Sequence, residues 1–224
     1  PKQIRPAAKN EVVNPWIGGG KMRIEGFFTE AVGATRNISK TIAELKKKGV
    51  LTQDNRSNGE NIFESSTKEL YMDMEKSFMT VNTPRLQGMC GLAGATAKLS
   101  VFEVVSHNVE GNLTLAAVDG LAPIRSAKRL LLVRLTNALN TDMAFTDKDM
   151  TQLESLGRIP ALLRNSKFTV RVRNANAAAL KLYPLSLEGI PTGKVLAPVS
   201  VTGDVATFTA DTAKDGNTVY FEIR

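Results

Sequence analysis

The sequence predicts a mainly β protein, an antiparallel β-sandwich with a short helical N-terminal extension. Three observations predict it. From about residue 61 onward, short runs of alternating or β-branched residues recur. Turn-forming residues punctuate those runs at Glu110-Gly111-Asn112, Asp119-Gly120, Gly189-Ile190-Pro191, Thr202-Gly203-Asp204 and Asp215-Gly216-Asn217. The only strongly helical pattern is confined to residues 21–51. Residues 1–57 are therefore read as a helical or irregular extension and residues 58–224 as the sandwich domain.

Taken in order, residues 1–20 are irregular. The stretch NPWIGGGK (14–21) is a glycine-rich loop ending in Lys, but Met22 stands where a phosphate-binding loop needs Ser or Thr, so it is a lead-in rather than a nucleotide site. In the helical stretch, Ile38, Ile42 and Leu45 share one face. Lys46-Lys47-Lys48 fits a helix C-terminus, which favours cations, and Gly49 follows as the stop. The polar run TQDNRSNGE (52–60) marks the boundary. Strands are expected within 98–107, 112–120, 129–139, 167–175, 179–189, 205–211 and 217–224. In KFTVRVRN, Phe168, Val170 and Val172 face one way and Thr169, Arg171 and Arg173 the other, giving one core face and one wet face. Residues 147–156 are expected to form one or two helical turns.

The stretch ELYMDMEKSFMTVNTPRLQG (69–88) reads as a hairpin. Leu70, Met72 and Met74 fall on one face, with Tyr71 and Asp73 on the other. Phe78–Thr83 returns as the partner strand. Pro84 ends the pairing, because it has no N–H to donate. Arg85 projects just past that end, either as an ion pair or carbonyl clamp or as a ligand contact.

These residues also resemble a known signature. Ser66-Thr67-Lys68-Glu69-Leu70-Tyr71-Met72-Asp73 and Phe78-Met79-Thr80-Val81-Asn82-Thr83-Pro84-Arg85 are similar to motifs in the C-terminal region of large bacterial glycoside-hydrolase-like proteins. Leu115 to Ser126, Asn140-Thr141-Asp142-Met143, Gly157 to Leu163 and Thr218 to Ile223 follow in the same order. The resemblance covers roughly residues 61–224. It implies a β-sandwich that follows a catalytic (β/α)₈ barrel, with the catalytic acids on the barrel. It also implies a glycoside-hydrolase parent, a role in polysaccharide degradation, a secreted or periplasmic location, and the barrel as partner in cis or in trans.

Composition narrows the chemistry. One Cys (Cys90) excludes an internal disulfide or a Cys-cluster metal site, and one His (His107) excludes a multi-His site. Neither metal nor cofactor is expected. Ser106-His107 is a weak catalytic pair without a placed acid, and Cys90, among small residues, reads as a buried small hydrophobe. A net charge of +7 can mean a polyanion partner, but Lys and Arg are spread along the chain, so nucleic acid is not expected. No run approaches the roughly 18 apolar residues of a membrane helix. The start is polar, carries proline and lacks Met, as in a processed or excerpted chain.

A barrel typically takes about 250 residues, so this strand-rich chain of 224 is not expected to be catalytic by itself. Sugar-binding modules use aromatic platforms, and aromatics make up only 6% of this chain. The sugar or interdomain contacts to test are Trp16, Tyr71 and Arg85. Two alternatives to the accessory domain stay open: an autonomous carbohydrate-binding module and a structural or assembly sandwich.

Overall fold

The computed structural model describes residues 47, 48, 56, 61–65 and 67–224. The lead-in with Trp16, nearly all of the expected helix and the 57/58 boundary lie outside these residues. Of the helix, Lys47 is helical and Lys48 lies in a turn. The chain divides into two compact units, one ending at Glu75 and one running Lys76–Arg224.

In the first unit, β1 (Ile62–Glu64) pairs antiparallel with β2 (Leu70–Asp73), with Phe63 opposite Met72. The link between them is closed by Ser65, whose N–H donates to Leu70 O and whose Oγ accepts from Leu70 N–H.

The second unit is an antiparallel sandwich of two sheets. One sheet contains β3 (Phe78–Asn82), β4 (Leu86–Gly91), β7 (Gly111–Ala117), β8 (Leu130–Leu135), β17 (Tyr220–Ile223) and β14 (Leu182–Leu185), side by side in that order. The other contains β15 (Ser200–Thr202), β16 (Val205–Asp211), β13 (Lys167–Arg173), β6 (Phe102–His107) and β5 (Ala97–Lys98), again in spatial order. Leu115 sits opposite Leu132 in the first sheet, and Val170 lies between Val104 and Phe208 in the second. The inward residues form one core: Leu113, Leu115 and Leu132 from one side, Phe168, Val170 and Phe208 from the other. Phe168 meets Phe221 edge to face, with ring centroids 5.5 Å apart. Such a pair adds about 0.5–1.5 kcal/mol beyond its buried area. The alternation read in 167–174 holds, since Phe168, Val170 and Val172 are buried.

Two expectations are corrected. The run 129–139 is not one strand: β8 ends at Leu135, and β9 (Ala138–Thr141) leaves the sheet. Residues 147–156 are not helical. Asp147 instead folds a loop onto itself by accepting from Thr151 N–H, Thr151 Oγ1–H and Gln152 N–H. The chain then returns as β11 (Leu153–Ser155). Thr83-Pro84 stands where β3 stops, as expected, since the strand ends at Asn82. It is the turn into β4, closed by Thr83 N–H on Leu86 O and by Leu86 N–H on Thr83 Oγ1. Pro84 is tolerated there because a turn needs no N–H at that position.

β10 (Ala144–Phe145) pairs with β11, and β12 (Arg158–Leu163) pairs with β9. Together they make a two-stranded arm over residues 138–163. Gly157 has φ +66°, and a Cβ there would meet Thr141 O at 2.2 Å, so the irregularity between the two ribbons depends on glycine.

Candidate functional site

Of the three residues singled out from the sequence, Tyr71 lies in the first unit and Arg85 in the second. Trp16 lies outside the described residues. Tyr71, on β2, is covered by the Arg56 guanidinium, 3.9 Å from its ring centroid. Arg56 in turn holds the buried Glu64 through its own N–H at 2.7 Å and its Nε–H at 2.8 Å. Arg85 belongs to the other unit, where its Nη2 donates to Gly120 O.

That contact is part of a lock between two loops. Ala117 N–H donates to Arg85 O at 2.9 Å, and Ile124 N–H donates to Pro84 O at 2.9 Å. Asp119 accepts from Lys128 N–H at 2.7 Å, which closes the second loop on itself. Ile124 is buried in the core. So the Thr83-Pro84-Arg85 turn and the Asp119–Lys128 loop are held together by backbone carbonyls and one guanidinium. The carbonyl-clamp alternative describes what Arg85 does here.

Ser106 and His107 are not a catalytic pair. Strict alternation along β6 would bury Ser106 with Phe102 and Val104. A register shift opposite Thr169/Val170 reverses the last two residues, so Ser106 is exposed and His107 is buried. His107 Nδ1 lies 2.7 Å from Val109 O, and its Nε2 has no hydrogen-bond partner among the described residues. Cys90 is exposed, not buried as expected, because β4 turns Met89 inward and Cys90 outward.

One buried group was missed from the sequence. Arg134 is fully buried on β8. Its Nε–H donates to Ser166 Oγ at 3.0 Å, its Nη1 to Asn112 O at 3.0 Å and its Nη2 to Val109 O. Burial pulls its pKa down to about 10, so the group stays cationic at neutral pH. The signal was present: Leu130, Leu132 and Arg134 share one face, and alternation alone places Arg134 inward. With every bond directed at a carbonyl or hydroxyl of the fold, its role is structural.

A shallow cavity of about 70 Å³ lies on the second sheet, lined by Lys98, Ser100, Glu103, Arg171, Arg173 and Val205. It is well below the roughly 300–1,000 Å³ of ordinary ligand pockets. Arg171 is engaged with Glu103 at 3.2 Å and Arg173 with Asp204 at 3.5 Å. Among the described residues, no group of His, Cys, Asp or Glu could hold a metal ion. No helix among them is long and apolar enough to cross a membrane.

No protein-family model, curated protein or solved structure matches the chain.

Proposed function

We propose that the chain is a non-catalytic accessory β-sandwich of a glycoside-hydrolase-like protein, supporting a catalytic (β/α)₈ barrel in cis or in trans during polysaccharide degradation. One observation carries this reading. The two most distinctive motif stretches, Phe78 to Arg85 and Leu115 to Ser126, are joined to each other by Arg85, Pro84 O and Ala117 N–H. Motifs spent on holding two loops of a sandwich together suit a scaffold that a family keeps for support. They do not suit a catalytic constellation, which needs side chains converging on open space. The side chains best able to do chemistry fit this too, since His107 is buried and Arg134 is saturated.

The genetic context tests the reading. The same reading frame, or its neighbour, should encode a barrel whose product co-purifies with this chain. A full-length frame and neighbours without any barrel would sink the proposal. At the residue level, Arg85→Ala should lower stability by about 1 kcal/mol, the worth of one hydrogen bond, and leave the co-purified barrel's hydrolysis rate unchanged once folded. A large loss of activity at full stability would give Arg85 a contact with substrate instead.

A further inference from the structure

We propose that one end of the sandwich, centred on Leu121, is a docking surface for a protein whose facing side is acidic around an apolar recess. This goes beyond the glycoside reading and does not rest on it.

Cations spread along the sequence are gathered here by the topology. β3, β7, β13 and β15 run toward this end, and β4, β8, β14 and β16 leave from it. The connecting loops are stitched to one another. Ala175 N–H donates to Arg125 O at 2.8 Å, Asn174 N–H to Asp204 O at 2.8 Å and Lys181 N–H to Arg224 O at 2.9 Å. Seven exposed cations therefore meet at one end: Arg85, Arg125, Lys128, Arg129, Arg173, Lys181 and Arg224. Three carboxylates accompany them, Asp119, Asp204 and Glu222. Residues 76–224 have seventeen Lys and Arg against twelve Asp and Glu, a net +5, so four of those five excess charges lie at this end.

The carboxylates do not cancel the field. Asp204 is shared by Arg125 at 3.3 Å and Arg173 at 3.5 Å, and Glu222 by Arg129 at 2.6 Å and Arg224 at 3.4 Å. Arg85, Lys128 and Lys181 are in no ion pair among the described residues. A guanidinium that shares its carboxylate keeps N–H groups for a second one, which its planar fork recognises well.

The centre of this basic end is apolar. Leu121 is 88% exposed and Val118 is 45% exposed, both in the 118–129 loop. The loop is braced by Arg85 on Gly120 O and by Lys128 N–H on the Asp119 carboxylate, so Leu121 is presented and not merely left over. An apolar centre with Arg around it is the make-up of a protein interface. Bases stack on aromatic rings, and sugars pack on them too. None of residues 83–85, 118–129, 173–181 or 203–204 is aromatic. A nucleic acid or polysaccharide would have no use for Leu121, whereas an acidic protein face with a recess would use both the leucine and the cations.

Fluorescence anisotropy with the folded full chain is the test. The probe is a random copolymer of Glu and Leu, set beside poly-Glu, polygalacturonate and duplex DNA at physiological salt. Binding of the copolymer is expected, weakening as salt rises. Leu121→Ser should weaken it about tenfold, to the level of poly-Glu. Lys128→Glu should also weaken it by about tenfold, while Lys214→Glu, the same change of charge at the opposite end, should leave it within about twofold. All three side chains are exposed, so thermal midpoints should stay where they are. No binding of the copolymer would overturn the proposal. Equal weakening by the two Lys reversals would overturn it as well, by reducing the surface to diffuse net charge. So would duplex DNA or polygalacturonate binding as tightly, with no loss in Leu121→Ser, which would make this end a site for a polyanionic chain.

Discussion

Val109 O is shared by two buried donors, Arg134 Nη2 and His107 Nδ1. A carbonyl so placed makes Arg134 a pin between β8, the Val109 turn and Ser166. Removing it would leave the carbonyls of Val109 and Asn112 short of a donor, although it would also release the cost of a desolvated cation. Arg134→Met is expected to destabilise the chain by about 2–4 kcal/mol, the worth of one or two hydrogen bonds to a charged group, read as a lower urea midpoint at unchanged slope. Gly111 lies against the same pin. Its φ is +136°, and a Cβ would meet Leu135 O at 2.1 Å. Gly111→Ala should therefore lower the thermal midpoint by several degrees, at roughly 2–4 °C per kcal/mol. Arg134 was legible as an inward position. That its acceptors are the carbonyls of Val109 and Asn112 and the Ser166 hydroxyl was not, because every sequence supplies such groups.

The strands of the sandwich were readable where one face is buried and the other wet, because period-two alternation then follows directly from the pleat. β13 and β16 fall close to where the alternation puts them. The reading failed where an element has no such contrast. β12 is apolar along most of its length and exposed along all of it, so its pattern resembles a core strand while its surroundings do not. The loop before β11 looked helical because acidic and apolar residues recur at short spacing. Its structure is set by one carboxylate and the backbone it gathers. Those bonds, the Thr151 N–H first among them, lower the pKa of Asp147 below its ordinary value. A carboxylate with a depressed folded pKa contributes order that is complete above its ordinary value, about 3.8, and lost as pH falls through the lower folded value. The Thr151 and Gln152 amides should accordingly keep their hydrogen-exchange protection at pH 5 and lose it as pH falls through that lowered value, with the β13 amides unchanged. Loss of both sets together would mean global unfolding and not release of the tip.

At the scale of the molecule, the sequence made the fold class plain and the candidate site obscure, for one physical reason. Core formation uses many residues and leaves a repeating signal, whereas a loop lock depends on a few contacts distant in sequence, such as Arg85 with Gly120. Among the described residues His107 and Arg134 are buried in the fold, while Cys90 and Ser106 are exposed. The most direct measurement is titration calorimetry of the folded chain against a panel of polysaccharides, with reducing ends assayed in the same samples. The account predicts no saturable heat and no new reducing ends. Saturable binding lost in Trp16→Ala, or release of reducing sugar by the chain alone, would contradict it.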